Sequence, residues 1–504
     1  MQHNDEFQVS IKSITKELRK ESLSVKNRLQ SILDDARLVE LTIARMSIEY
    51  PVIANERCGC WYVPTWQQAE TCYFKSTDGH TGYWKFSSRR TNLHLLAMII
   101  ENGGIAVVDL TRKGKRFPDA LLKTIPIWCA VLNYIRFDGI STDGWLSTQM
   151  LAVSASEHAL MAGLISQFAA EAQRVGAVTK ERLIQAGMNR PMVPEWIQIG
   201  QIRWSEQNNQ SNGSVLDQLL SNPFRIICIS AARTQNTPSY YVQGSAGDHE
   251  LWTGDICDGG LDYKFLWDHV VQDDTIVDNL KIHSWLGDQE LISRLNELYK
   301  RIQITSGPSG SAAGTAPWCD VSQVRTNQNA TNIYFGQIYR NVDQEEIIRQ
   351  FPNCNRIVVL SETCEVRSQC YPKGSQELDD SEGPEMCTSG PLTVQHFKVA
   401  DTKVGSKKLR DILPQINLGT GARDCCTLVL CDSGKDLSAA VVLMWLCLNY
   451  DLNWQKYPET HVTKDYVKRQ LALLQEVRKI NPRRNSLQSV NAVVVGQLHA
   501  EALK

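Results

Sequence analysis

The chain has 504 residues, more than one ordinary hydrophobic core encloses, since single cores stop growing near ~250–300 residues. Its 42% hydrophobic and 21% charged residues are those of a globular protein and exclude a wholly disordered or fibrous chain. Lys and Arg number 53 against 55 Asp and Glu, a net charge of −2, so no global basic field attracts nucleic acid and any RNA site is local.

The opening residues MQHNDEFQVS carry no charged-then-apolar leader, and the 15 cysteines are scattered and odd in number. Both features lead us to expect reduced thiols and a cytoplasmic location. Residues 8–50 read as helix, because Ile11, Ile14 and Leu18, then Leu29, Ile32 and Leu33, then Leu38, Leu41 and Ile48 recur near helical spacing. Arg45 interrupts that pattern. From Pro51 the texture turns to aromatics, Gly and Cys, as expected of short strands and structured loops. Cys58, Cys60 and Cys72 with His80 have Cys-x-Cys rather than Cys-x2-Cys spacing, so no zinc site is assigned.

Asn92 to Ile100 reads as helix ended by Gly103 and Gly104, and Ile105 to Val108 as a buried strand ending at Asp109. Residues 118–135 and 147–189 read as mainly helical, and Arg225 to Ser230 as a second buried strand. The uncharged run TSGPSGSAAGTAP marks a linker, which sets an N-terminal region at 1–305, the linker at 306–331 and a C-terminal domain at 332–504. Lys373 to Gly390 reads as a surface loop. The longest apolar run, Ala439 to Leu448, is too short to span a membrane.

Three polar clusters interleave with the N-terminal strands. The first runs from Lys75 through Asp78, His80 and Gly82 to Arg89, Arg90, Asn92 and His94. The second is Asp109, then Thr111-Arg112-Lys113-Gly114-Lys115-Arg116, then Pro118 and Asp119. The third comprises Arg233, Tyr241 to Gly244, Asp248, His249 and Glu250. A single cluster is an ordinary solvated turn. Three that mix acids, His, Arg and Gly beside strands suit a site for a highly charged ligand. In the second, Thr, Arg, Lys and Gly offer hydroxyl, guanidinium and backbone donors to phosphate, although the spacing is not that of a P-loop.

In the C-terminal domain, VLCDSGKDLS places an apolar strand before a tight loop, Cys431 to Leu437, with Ser438 opening a helix. Such a strand–loop–helix gathers backbone N–H groups at one point and suits a phosphate. The loop Cys431-Asp432-Ser433-Gly434-Lys435-Asp436-Leu437-Ser438 resembles the dual-specificity phosphatase loop Cys-x-x-Gly-x-x-Arg-Ser. The likeness continues through Ile333 to Gly336, Arg356 to Leu360, the acid Asp401 and the closing turn and helix from Pro482 to Val493. The departure is Leu437, where the phosphatases carry the arginine that clamps phosphate; Leu430 replaces their histidine. Without that charge the Cys431 thiol is expected to be a poor nucleophile.

The segments CGCWYVP, YFKSTDGHTGYWKFSSRRTNLHLL, VVDLTRKGKRFPDALLKTIPIWCAVLN, YVQGSAGDHELW and VLCDSGKDLS together resemble the initiator tRNA phosphoribosyltransferases of fungi and plants over nearly the whole chain. The resemblance implies an α/β architecture, with an N-terminal mixed α/β catalytic region joined to a dual-specificity-phosphatase-like domain. It also implies transfer of a 5-phosphoribosyl group from phosphoribosyl pyrophosphate to the ribose 2′-hydroxyl of adenosine 64 in initiator methionine tRNA, which keeps that tRNA from elongation.

Such a reaction needs cations for the donor's phosphates, Mg²⁺ held mainly by its pyrophosphate, and a base for the incoming hydroxyl. Lys75, Arg89, Arg90, Thr111, Arg112, Lys113, Gly114, Lys115 and Arg116 are the candidates for the donor. Asp78, His80, Asp109, Asp248 and His249 compete for the base and metal roles. Lys407, Lys408 and Arg410 are candidates for the RNA backbone, and no membrane partner is expected. The competing readings are a phosphatase acting through Cys431 and a non-catalytic RNA-binding protein on a phosphatase fold.

Overall fold

A computed structural model describes residues 24–77, 82–111, 115–137, 144–199, 220–232, 261–306, 318–326, 329–367, 385–389, 392–416, 418, 426–456 and 462–501. The chain divides into two compact units, one of residues 1–172 and 178–303, the other of 173–177 and 304–504.

The first unit is built on a five-stranded sheet of β1 (Val52–Asn55), β2 (Glu70–Cys72), β3 (Gly104–Asp109), β4 (Met192–Gln198) and β5 (Phe224–Ser230), in the order β2-β1-β3-β5-β4. All its pairings are parallel. A parallel sheet is covered on both faces, which is why every residue of β3 is buried and the strand reads as one apolar run. On one face Ala54, Ala106, Val108, Ile227 and Ile229 share a core with Leu29, Ile32, Leu33 and Ala36 of α1 (Val25–Arg45). Ile53, Ile105, Val107, Ile226 and Cys228 face the other way. They pack with Ile99 of α2 (Leu96–Asn102), Leu132 of α3 (Ile125–Arg136), Met161 of α4 (Ala155–Ala162), Ile165 of α5 (Ile165–Arg174) and Leu183 of α6 (Lys180–Gln185). Leu291 and Leu295 of α7 (Asp288–Ser306) return to the first face, beside a hairpin of β6 (Val277–Asp278) and β7 (Lys281–Ile282).

Several expectations change in detail. The described helix begins after Ser24, whose hydroxyl accepts from the Asn27 N–H, and Arg45 is its last residue rather than an interruption. Residues 8–23 of the expected helix lie outside the described residues. The expected helical stretch 147–189 is three helices, two of them freshly capped by Ser154 and Thr179. Hydroxyls that take up the first orphan N–H groups restart a helix cheaply, so the breaks are local chemistry.

The second unit carries a six-stranded sheet in the order β13-β14-β11-β15-β9-β8. Its strands are β8 (Cys319–Arg325), β9 (Ala330–Ile338), β11 (Cys354–Leu360), β13 (Glu385–Ser389), β14 (Leu392–Phe397) and β15 (Cys426–Cys431); β10 (Val342–Asp343) and β12 (Val366–Arg367) form a separate pair. The central four strands are parallel, and β8 and β13 close the edges antiparallel. The helices α8 (Gln344–Gln350), α9 (Gly405–Ile412), α10 (Leu437–Asn449), α11 (Lys464–Val477) and α12 (Arg484–Glu501) complete it. One face holds α9 to α12 around Val429, Leu443 and Val490. The other gathers Trp318, Ile347 and Leu428.

Two expected irregular stretches contain strands. β8 lies inside the supposed 306–331 linker, because Trp318, Cys319 and Val324 bury against the sheet once β8 pairs with β9. β13 falls at the end of the supposed 373–390 surface loop, where five backbone pairings to β14 outweigh its polar composition.

Candidate functional site

In the first unit the chain passes from β1 to β2 on one side and from β2 back across β1 to β3 on the other, so the carboxyl edge between β1 and β3 is a topological switch point, where open α/β sheets bind ligands. Asn55 ends β1 there and is fully buried. Its Nδ2 donates to Asp109 Oδ2 at 2.9 Å and to the Phe74 carbonyl at 2.9 Å, and its Oδ1 accepts from the Phe74 N–H at 2.8 Å. One side chain thus ties the root of the first polar cluster to the root of the second. Arg57 lies 3.8 Å from Asp109 Oδ2 and donates from Nη1 to the Leu110 carbonyl at 3.3 Å. Gly59 is required at this edge, since a Cβ there would stand 2.0 Å from the Val108 carbonyl oxygen.

The expected residues are partly brought together. Thr77 Oγ1 donates to Asp119 Oδ2 at 3.3 Å, and Thr124 Oγ1 donates to the Lys75 carbonyl at 2.7 Å, so the first two clusters meet. Lys115 and Lys123 lie 3.7 and 3.6 Å from Asp119. Ser230, the last residue of β5, donates from Oγ to the Arg116 carbonyl at 2.6 Å, which joins the second cluster to the strand that precedes the third. Thr111 is buried, and among the described residues its Oγ1 has no hydrogen-bond partner. Lys75 and Arg116 are exposed and Arg89 and Lys115 are half-buried. Arg90 is stacked 3.5 Å above the Tyr73 ring, and burial lowers its pKa. Asp78, His80, Arg112, Lys113, Gly114, Asp248 and His249 lie outside the described residues.

Asp109, one of the candidates for the base, has no exposure and is engaged by Asn55 and Arg57. The cysteines give no zinc set: Cys58 and Cys60 pack on one face of the sheet and Cys72 on the other. Among the described residues, no three His, Cys, Asp or Glu side chains are grouped to hold a metal. Asn55, Arg57 and Ser230 are the residues that sequence reasoning missed; the first and last end short apolar runs, which is the only signal they carry.

The phosphate-type loop of the second unit is closed by its own chain. The expected strand, loop and helix are present, with the loop one residue shorter at each end: β15 runs on to Cys431 and α10 begins at Leu437. Gly434 has φ +64° and a Cβ there would stand 2.7 Å from the Gln337 N, so the loop lies hard against β9. Within it sits Asp401. Its Oδ2 accepts from the Ser433 N–H at 3.2 Å and from the Ser433 hydroxyl, and lies 3.5 Å from Cys431 Sγ. A guanidinium is present, but it comes from Arg483: Nη1 donates to Asp401 Oδ1 and Asp436 Oδ2, and Nη2 to the Asp401 carbonyl at 2.8 Å. Burial pulls the Arg483 pKa down, yet Asp401 and Asp436 together hold it above its ordinary value. Burial first, and the Asp401 carboxylate second, push the Cys431 thiol up to about 11. A thiol so placed is not a nucleophile at neutral pH. Lys407, Lys408 and Arg410 are exposed along α9.

Comparison with known proteins gives two family matches and several relatives. Residues 18–300 match the Rit1 N-terminal domain and residues 393–494 the Rit1 DUSP-like domain. The tRNA A64-2′-O-ribosylphosphate transferase of Saccharomyces cerevisiae is 29% identical over 520 residues, covering 98% of this chain and 96% of that one. An uncharacterized protein of Schizosaccharomyces pombe is 28% identical, covering 93% of this chain and 94% of its own. A solved structure, the Yvh1 phosphatase domain from Chaetomium thermophilum, aligns with 34% of this chain and 93% of its own at 15% identity and a TM-score of 0.23.

Proposed function

This chain belongs to the Rit1 family, and from that premise we propose that it is a tRNA 2′-O-ribosylphosphate transferase. On this reading it moves the 5-phosphoribosyl group of phosphoribosyl pyrophosphate onto the 2′-hydroxyl of adenosine 64 in initiator methionine tRNA. The donor C1′ loses its bond to the pyrophosphate oxygen and gains one to the RNA O2′, while the hydroxyl proton passes to a base. Asp78, His80, Asp248 and His249 remain the candidates for that base.

The observation that carries the reading is topological. The three polar clusters follow β2, β3 and β5, which are parallel, so each starts from the same carboxyl edge of one sheet. That edge is where such sheets bind phosphorylated ligands. Lys75, Arg89, Arg90, Lys115 and Arg116, with Arg112, Lys113 and the Gly114 backbone, supply the cations and donors that three phosphate groups require. Mg²⁺, when present, would neutralise the leaving pyrophosphate, mainly through the donor's own oxygens.

The phosphatase-like unit then serves the RNA rather than the chemistry. Lys403, Lys407, Lys408, Arg410 and Arg484 are exposed along α9 and at the start of α12, a cationic surface suited to a duplex backbone read by shape. The test is to incubate the protein with initiator tRNA and labelled phosphoribosyl pyrophosphate and to map the label by nuclease digestion. Label at nucleotide 64, absent from elongator tRNA, is the expected result. No label in RNA, with release of phosphate from an aryl ester that Cys431→Ser abolishes, would replace this reading with a phosphatase.

A further inference from the structure

We infer that Arg57 contacts a phosphate group of the donor and that the buried Asp109 is its positioning residue, an inference that rests on the proposed transfer. Arg57, in the run Asn55-Glu56-Arg57, lies outside all three polar clusters and has no cationic neighbour in sequence.

The argument begins with Asp109. Burying a carboxylate costs several kcal/mol unless it is paired and hydrogen-bonded, so a fully buried one at a ligand-binding edge has a specific role. Its Oδ2 takes the Asn55 amide at 2.9 Å, and Asn55 is itself fixed by both backbone groups of Phe74. The carboxylate is therefore rigid. Arg57 stands 3.8 Å away, too far for the bidentate clasp that two such groups form when they exist only to neutralise each other. Nη1 donates instead to the Leu110 carbonyl, beside Thr111 of the second polar cluster. The Arg57 side chain is about a quarter exposed, while that of Asp109 has no exposure. The arrangement is a buried acid holding a half-open guanidinium at the switch point, between the roots of two phosphate-suited loops. Anions are the ligands that a pre-oriented guanidinium recognises.

The experiment measures KM for each substrate with Arg57→Ala, Arg57→Lys and the pair Arg57→Ala/Asp109→Asn, and titrates inorganic pyrophosphate and ribose 5-phosphate as competitors. Loss of one charge-assisted contact should raise the donor KM roughly tenfold to a hundredfold. The tRNA KM should stay within about twofold, and Arg57→Lys should recover only part of the loss because a point charge replaces a fork. The competitor whose inhibition weakens identifies which phosphate Arg57 meets. If Arg57→Ala alone fails to fold, the paired variant removes the orphaned carboxylate and is measured instead. A raised donor KM in the folded pair supports the inference. A wild-type donor KM in the folded pair overturns it, leaving Arg57 as a mere counter-ion for Asp109. Failure of the wild-type protein to label tRNA would instead sink the reading beneath it.

Discussion

Arg483→Ala should open the closed loop of the second unit. The guanidinium donates to the side chains of Asp401 and Asp436 and to the Asp401 carbonyl, and these two carboxylates are only 7% and 4% exposed. Removing one partner of a buried ion pair costs about 3–5 kcal/mol, because the other is left charged and unpaired. The Arg483 side chain is 38% exposed, so water screens part of that interaction and the expected loss falls to about 2–3 kcal/mol. In a unit of this size each kcal/mol lowers the melting temperature by roughly 2–4 °C.

A whole-chain melt mixes two units, so the sharper assay is amide hydrogen exchange across the loop. The Ser433 N–H is held by Asp401 at 3.2 Å and the Lys435 N–H by Ser433 Oγ at 3.1 Å, and both should exchange faster in the variant. Adding Asp401→Asn to Arg483→Ala removes the stranded charge and should recover part of the stability. A loss below about 1 kcal/mol, with unchanged exchange at both amides, would refute the view that Arg483 and Asp401 lock the loop.

Cys431→Ser should leave ribosyl transfer intact and neither protein should turn over an aryl phosphate, since the thiol is held up at about 11. A thiol raised from 9.0 to about 11 stabilises the fold below pH 9, and this contribution is lost as pH rises toward 11; roughly 2–3 kcal/mol of alkaline destabilisation should therefore vanish in Cys431→Ser, as read by denaturation at pH 8 and pH 11. Gly434→Ala places a methyl 2.7 Å from the Gln337 N at φ +64° and should cost about 2 kcal/mol or more, measured by urea unfolding. Replacing Lys407, Lys408 and Arg410 with Ala should flatten the log–log salt dependence of tRNA affinity by about 0.9 for each that neutralises a duplex phosphate.

The parts of the fold legible in the sequence were those whose pattern is local. β3 showed as an apolar run because a parallel strand buries both faces, and Cys431 to Ser438 showed as a strand–loop–helix because its turn chemistry is contiguous. β1 and β2, four and three residues long, are too short to show a period, so Asn55 and Arg57 passed as texture among aromatics. The pair Asn55–Asp109 spans 54 residues and Arg483–Asp401 spans 82. No spacing rule reaches that far. Arg483 in particular is, in sequence, one basic residue beside Arg478, Lys479 and Arg484, and only the fold turns it toward Asp401.

The two anion-suited devices of this chain have opposite designs, and the difference follows from where the charges come from. In the second unit Leu437 stands where the dual-specificity phosphatase loop has its clamping arginine, and loop N–H groups in a buried setting need an acceptor. Asp401 provides that acceptor from within the unit, and Arg483 offsets its charge, so the loop becomes a packed junction between β15, α10 and α12. In the first unit the buried acid is on the inside and the cation, Arg57, is toward the edge. A carboxylate beneath a partly exposed guanidinium orients a binding group, whereas a carboxylate lodged in the cradle fills the place a ligand would take. On the proposed function, this contrast assigns the phosphorylated donor to the sheet edge of the first unit and leaves the second its outer surface, with the exposed Lys407, Lys408 and Arg410, for the RNA backbone.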